Sequence, residues 1–263
     1  MRVATWNVNS VVARLPRLLG WLADRVPDVV CLQETKCSAA NFPTPDVEAL
    51  GYQVAAHGDG RWNGIAILSR VGVDDVQAGL PGDPGYPNSN VPEPRALAAT
   101  CGGVRVCSIY VPNGREPGHE HYTYKLAWLE ALREAVATDA AGPLPFALLG
   151  DFNIAPTDDD VWDPAAFTHA THVTAPERAA LSALRDLGLR DVVPRPLKYD
   201  RPFTYWDYRA GMFHKNLGMR IDLVYANALF ADAVTDAYVD REARKGTGAS
   251  DHAPILVDLS VPV

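Results

Sequence analysis

The sequence predicts an α/β fold. One domain spans residues 1–263 and pairs two packed, mixed or mostly antiparallel β-sheets with outer helices, giving a four-layer sandwich. Three observations predict it. Short apolar runs bounded by turn residues recur along the whole chain, as strands do. Helical periodicity appears in only a few separated places. Most strand-like runs are joined by short turns rather than helices, so antiparallel pairing is common and a strict parallel rhythm is absent.

The strand-like runs are Val29–Leu32, Ile65–Leu68, Val104–Tyr110, Phe146–Leu149, Ile221–Tyr225 and Ile255–Leu259. Leu15–Arg25 places Leu15, Leu18, Leu19 and Leu22 on one helical face. Tyr122–Ala137 and Pro176–Leu187 are also periodic at helical spacing. The last has a start signal: Thr174 as cap, Pro176 in the first turn and Glu177 three residues after the cap. Gly82–Pro94 holds four prolines and two glycines and reads as a loop within the domain, since strand-like runs flank it closely.

Composition narrows the function classes. Residues of apolar type make up 48% of the chain, enough for a sizeable core. No apolar run reaches the ~18–20 residues that span a bilayer, and the opening stretch MRVATWNVNS has no signal-peptide core. Four cysteines, none in a C-x-x-C pair, make neither a disulfide scaffold nor a zinc site. A soluble, cytoplasmic, monomeric protein is expected. The net charge of -8 argues weakly against a polyanionic partner, but binding needs only a local patch. Basic residues do gather late in the chain, at Lys198, Arg201, Arg209, Lys215, Arg220, Arg241, Arg244 and Lys245.

Several strand-like runs begin or end with oxygen-bearing side chains. ATWNVNS carries Asn7 and Asn9. VVCLQETK carries Glu34. PFALLGDFNIAP carries Asp151 and Asn153. GASDHAPILVDL carries Asp251 and His252 just before a strand. Each alone has a plain reading: Asp-x-Asn is most often a turn, and Glu34 suits a cap or the surface. Asp222 is different, because an acid within Ile, Leu, Val and Tyr is costly to bury unpaired; a His or Arg is the partner expected, and His252 is the natural candidate. Strand ends on one side of a sandwich converge. Acids and amides gathered there repel unless a cation sits among them. Hard oxygen donors without cysteine suit Mg²⁺, with Mn²⁺ as a second choice, and suit hydrolysis of a phosphodiester.

The stretches TWNVNS, LQETK, YVPNG, LLGDFNIAPTD, YWDYR, GMRIDLVYA and SDHAPI occur in that order. In this the chain resembles the exonuclease III family of abasic-site endonucleases, bacterial type, within the endonuclease/exonuclease/phosphatase superfamily. GDFN and SDH are shared across the superfamily, whereas FTYWDYRAGMFHKNLGMRIDL belongs to the DNA-repair branch. The resemblance implies a Mg²⁺-dependent nuclease acting on double-stranded DNA, at abasic sites and at 3′ ends. It implies Glu34 as the principal metal ligand, with Asn7, Asp151, Asn153, Asp251 and His252 around the ion. Asp151 would take the proton from the attacking water, Asn153 would orient it, and His252, polarised by Asp222, would contact the phosphate. Tyr110 would hydrogen-bond phosphate or act as an acid or phenolate. Lys36 would support the metal-binding carboxylate, and Asn113 and Arg115 would approach the DNA backbone. Tyr205, Trp206, Met219 and Ile221 would wall the abasic pocket, although strand alternation puts Tyr205 and Trp206 on opposite faces. Asn9 and Met219 stand where the animal branch has Asp and Trp, and Gly246–Ser250 is a longer approach to Asp251 than the family loop. Two rival readings are a lipid or inositol phosphoesterase of the same fold, which the YWDYR and GMRIDL stretches argue against, and a non-catalytic DNA-end-binding module, which has no use for so complete a set of polar groups.

Overall fold

The computed structural model describes residues 1–261. Residues 262 and 263, which the expected domain includes, lie outside them. In chain order the elements are β1 (Arg2–Asn7), α1 (Val11–Arg25), β2 (Val29–Gln33), α2 (Thr44–Glu48), β3 (Gln53–His57), β4 (Ile65–Ser69), β5 (Asp74–Ala78), β6 (Ala96–Cys101), β7 (Val104–Tyr110), α3 (Glu120–Ala140), β8 (Phe146–Asp151), α4 (Ala175–Asp186), β9 (Arg190–Asp191), β10 (Arg195–Pro196), α5 (Met212–Lys215), β11 (Asp222–Ala226), α6 (Ala228–Ala231), β12 (Val234–Val239) and β13 (Ile255–Leu259).

One sheet has the order β10-β12-β13-β1-β2-β4-β3, the other β5-β6-β7-β8-β11-β9. Both are mixed. β1 runs parallel to β2 and β7 parallel to β8, while most other pairs are antiparallel. A parallel pair needs a crossover, and α1 and α3 supply one on the outer face of each sheet. Alternation then builds the layers. Val3, Cys31, Ile67, Val106, Leu149 and Val224 fill the space between the sheets. Ala4, Trp6, Leu32 and Leu68 face outward onto Leu18, Trp21 and Leu22 of α1. Leu148, Tyr225 and Cys107 face outward onto Trp128 and Leu132 of α3 and Leu181 and Leu184 of α4. The expected four-layer sandwich is what forms.

The helices run a little beyond their apolar stripes. α1 starts at Val11 rather than Leu15, because Ser10 caps it through a hydrogen bond from the Ala13 amide and its first turn is solvated, with Val12 59% exposed. α4 starts where its capping signal places it, and the Thr174–Glu177 box is closed in both directions.

Register decides where chemistry can gather. Tyr110 sits opposite Asp151 across β7 and β8, and Asp151 sits opposite Asp222 across β8 and β11. In the other sheet Asn7 is level with Gln33, one residue before Glu34. The sheets therefore end their polar residues along one edge. Gly150 lets β8 reach that edge. Its φ is 146°, and a Cβ there would collide with the Ile109 carbonyl oxygen of β7. Gly150→Ala should lower stability by about 3 kcal/mol or more, as backbone clashes do. Urea denaturation checks this, and a midpoint equal to that of the unsubstituted protein contradicts it.

Candidate active site

The sheet edge opens on a cleft of about 200 Å³ lined by Glu34, Tyr110, Asn113, Asp151, Asn153, His172, Tyr205, Met219, Ile221, Asp251 and His252. Its floor is a set of closely spaced polar groups joined by hydrogen bonds and ion pairs. His252 Nδ1 lies 2.8 Å from Asp222 Oδ2, and its Nε2 lies 3.8 Å from Asp151 Oδ2. The Asn7 amide nitrogen donates to Asp151 at 2.9 Å and to Glu34 at 2.8 Å. Lys36 pairs with Glu34 at 2.7 Å and donates to the Asn9 side-chain oxygen at 2.6 Å. The Asn9 amide nitrogen in turn donates to Asp251 at 3.0 Å.

The backbone of this edge is held in unusual shapes. Asn9, Glu34, Lys36, Asn153 and His172 all have positive φ, between 45° and 80°. Non-glycine residues adopt such angles at a cost, and several of them around one cleft mark a site where side-chain direction has priority.

Electrostatics follows from burial and crowding. Burial, joined by the charges of Asp222 and Glu34, pushes the Asp151 carboxyl up to about 7 against the pull of His252. Burial opposes charge on His252, but Asp222 and Asp151 outweigh it and push the imidazole up to about 10. Burial also opposes charge on Glu34, yet Lys36 and Asn7 hold its carboxyl below the ordinary value. Burial and the nearby Glu34 raise the Tyr110 phenol well above its usual value, which favours its protonated, hydrogen-bond-donating form.

The donor set fits a divalent cation. One ligand atom from each of Glu34, Asp151 and His252 lies within 4.8 Å of the others. That spacing lets Glu34 and Asp151 share a single ion with bonds of about 2.0–2.6 Å, with the charged His252 beside it. Asp222 Oδ1 is buried with no hydrogen-bond partner. Asn7 stands at the edge of this donor group, between Glu34 and Asp151. It turns its amide nitrogen toward the acids, and its oxygen already accepts from the Asn9 backbone at 3.0 Å. The Asn153 oxygen accepts from Asn113 at 3.2 Å, and its nitrogen donates to the Val111 carbonyl at 3.0 Å, so this amide is braced on both sides. Asp251 lines the cleft but stands outside the closest donor group.

The expected pocket wall divides as alternation requires. Tyr205, Met219 and Ile221 line the cleft, with the Tyr205 ring 4.9 Å from that of His252. Trp206 does not. It is 1% exposed, packs against Phe213 and donates to Asn216, so it is a core residue and its expected substrate contact is corrected. Arg115 is exposed beside the cleft loop, with its amide bonded to the Asn113 side chain. Three arginines of the late basic cluster are internal. Arg220 is buried between Asp160 and Asp191. Arg241 and Arg244 are buried against the Phe213 ring and donate to backbone carbonyls. Lys198, Arg209, Lys215 and Lys245 remain exposed, but Arg209 and Lys245 are paired with Asp207 and Glu242.

Sequence reasoning missed His172. It enters from the turn before α4, and its Nδ1 meets the Asn153 carbonyl oxygen at 2.6 Å. Burial and the nearby Lys125 charge lower it to about 4, so it is neutral and donates through Nδ1. No sequence motif surrounds it, and only the fold brings it to the cleft.

The profile of the Endonuclease/Exonuclease/phosphatase family matches residues 4–252. Exodeoxyribonuclease III of Haemophilus influenzae is 29% identical over 98% of this chain and all of its own. Among solved structures, the 3′-5′ exonuclease NExo from Neisseria meningitidis is 38% identical with a TM-score of 0.92, covering 98% of this chain and 99% of that one. A second structure, of the Neisseria protein described as 3′ phosphatase NExo bound to a product DNA hairpin, has the same identity and score and covers 99% of this chain and 100% of that one. An AP endonuclease from Archaeoglobus fulgidus is 33% identical with a TM-score of 0.91, covering 99% and 100%.

The ion pair at the floor is directly testable. Asp222→Asn removes the first anion that raises His252, so the imidazole should titrate at lower pH, by more than one unit, in ring-proton NMR. An unchanged titration would mean that Asp151 alone sets the charge of His252.

Proposed function

Because the chain belongs to the Endonuclease/Exonuclease/phosphatase family, and within it to the exonuclease III branch, we propose that it is a DNA-repair nuclease that cleaves the phosphodiester 5′ to an abasic site and removes nucleotides from the 3′ ends of duplex DNA. The observation that carries this reading is the line Asp222–His252–Asp151 with Glu34 at its open end. It offers a base, a protonated donor and a metal-binding carboxylate within one cleft.

The enzyme is metal-dependent, as its family is. Glu34 and Asp151 are the residues that would hold the ion, and these hard oxygen donors favour Mg²⁺, with Mn²⁺ also suited; His252, charged on both nitrogens, would stand beside it as a donor to phosphate. When bound, the cation neutralises charge that develops on the phosphoryl group. The chain's own groups supply the rest. Asp151, once deprotonated, takes a proton from the attacking water as the water oxygen bonds to phosphorus. The bond from phosphorus to the 3′ oxygen breaks, and that oxygen leaves as an alkoxide, which takes a proton from solvent water to become the 3′-hydroxyl. His252, kept protonated by Asp222, donates through Nε2 to a phosphate oxygen, and the Tyr110 phenol donates to another. Tyr205, Met219 and Ile221 form a small apolar wall on which a sugar without a base can rest. An ordinary nucleotide must first break its stacking and pairing, a cost of a few kcal/mol. The protein is further proposed to act as a monomer in the cytoplasm.

A second reading gives 3′-end processing precedence over abasic incision. Its support is that the structures at 38% identity are described as a 3′-5′ exonuclease and a 3′ phosphatase. The two readings share all of the chemistry above and differ in which DNA end fills the cleft.

Labelled duplexes carrying an abasic site, a recessed 3′-hydroxyl end or a 3′-phosphate end separate them. With Mg²⁺, products are expected from all three on the first reading, and chiefly from the two ends on the second. Chelator should stop every reaction, and cleavage that continues without metal would sink both readings. Glu34→Ala should weaken metal affinity, so that raised metal partly restores the rate. Asp151→Asn should cost ~10²–10⁴ in rate whatever the metal concentration, because the base is gone.

The pH profile should carry the same signature. Asp151 acts in its basic form, and its carboxyl is raised to about 7, so at low metal the rate should climb as pH rises through that value. A bound cation favours the ionised form, so raising the metal concentration should move this limb to lower pH. A limb that stays fixed across metal concentrations would remove Asp151 from the metal site.

A further inference from the structure

Asn153 is held at every polar group, and two of its restraints lead away from the cleft. Its amide N–H donates to Asp151 Oδ1 at 2.9 Å, and its side chain is clamped between Val111 and Asn113. Its backbone carbonyl, turned inward by a φ of 51°, accepts from Lys125 Nζ at 2.8 Å as well as from His172.

Lys125 is an unusual residue to find there. It projects from the second turn of α3, and its side chain has no exposure to solvent. Its partner is Glu177 of α4, equally buried. Burial of such a pair is costly, and an apolar pair of similar volume often serves stability as well or better. The surrounding bonds show what the pair does instead. Lys125 donates to the Asn113 carbonyl at 3.2 Å as well as to that of Asn153. Glu177 accepts from the His172 amide at 3.0 Å and from the Thr171 hydroxyl at 2.7 Å. Three loops that reach the cleft, carrying Asn113, Asn153 and His172, thus converge on two buried charges.

We propose that Lys125 and Glu177 are positioning residues for catalysis, acting through the Asn153 peptide to aim the Asn153 amide at the water and phosphate. The inference rests on the nuclease reading above. Neither residue lines the cleft. Their effect is therefore on the orientation of Asn153 in the transition state rather than on DNA binding, and kcat should respond while KM does not. Misplacement of a reacting group by about 1 Å can cost ~10²-fold in rate.

The test is steady-state cleavage of a recessed duplex and of an abasic duplex. The main variant is Lys125→Met/Glu177→Gln, in which Gln still accepts from Thr171 and the His172 amide while both charges are gone. With cooperative unfolding retained, kcat should fall ~10–100-fold and KM should stay within about twofold. In an Asn153→Ala background the same pair of substitutions should cost less than about twofold, since the group they aim is absent. Glu177→Gln alone is the second variant, for the case that the double variant does not fold. It should lower kcat several-fold at unchanged KM. Wild-type kcat in either folded variant, or an equal loss with and without the Asn153 side chain, overturns the inference. If the unsubstituted protein cleaves neither duplex, the nuclease reading falls and this inference falls with it. If it cleaves and the variants match it, only this inference fails.

Discussion

Two carboxylates directly opposite each other in an antiparallel ladder repel, and Asp151 and Asp222 occupy exactly that relation across β8 and β11. Much of the cleft can be understood as compensation for this one placement. His252 is wedged against both acids and carries the charge they require. It is in turn fixed from outside the site: Trp6 donates to the His252 carbonyl at 3.1 Å, and the Ser250 hydroxyl, bonded to the Asn7 carbonyl, accepts from the His252 amide at 3.2 Å. One sheet therefore supplies the repelling acids, and the other supplies the cation that reconciles them.

That arrangement needs the two sheets to keep their relative position. Beneath the cleft, Gln33 of β2 bonds Thr5 of β1 and Ser108 of β7, each at 3.0 Å, so a buried polar bridge crosses the apolar layer. Apolar packing is non-directional and tolerates sliding, whereas a satisfied buried network allows few alternatives. Packing makes the sandwich stable, and the Gln33 bridge keeps its edge in register.

What could be read from the sequence was what repeats or what is chemically conspicuous. The apolar runs placed six strands correctly, because a strand in a two-faced sandwich must be apolar where it is covered. Asp222 stood out as an acid in an apolar strand whose burial cost calls for a His or Arg partner, and His252, the natural candidate, is the one it meets. Alternation separated Tyr205 from Trp206 in principle, but which of them faced the cleft depended on the turn that leads into α5, and Trp206 went to the core. The late arginines misled because a charge does not reveal its own burial. Arg220, Arg241 and Arg244 are covered, and stacking or paired acids satisfy them. His172 and Lys125 were invisible for a similar reason: neither lies in a polar motif, and only the packing of α3 and α4 brings them to Asn153.

These internal arginines change how an acidic protein deals with a polyanion. With a net charge of -8 and three arginines of its late basic cluster turned inward, the molecule has limited means to attract DNA by its surface as a whole. Positive charge is concentrated instead at the point of reaction, in His252 and in the cation that Glu34 and Asp151 invite. Charge placed there acts in a buried setting, where salt screens it far less than it screens exposed lysines. The phosphate that reacts is then favoured over the many that do not, and what the protein gives up in general attraction to DNA it regains as selectivity for the bond that lies in the cleft.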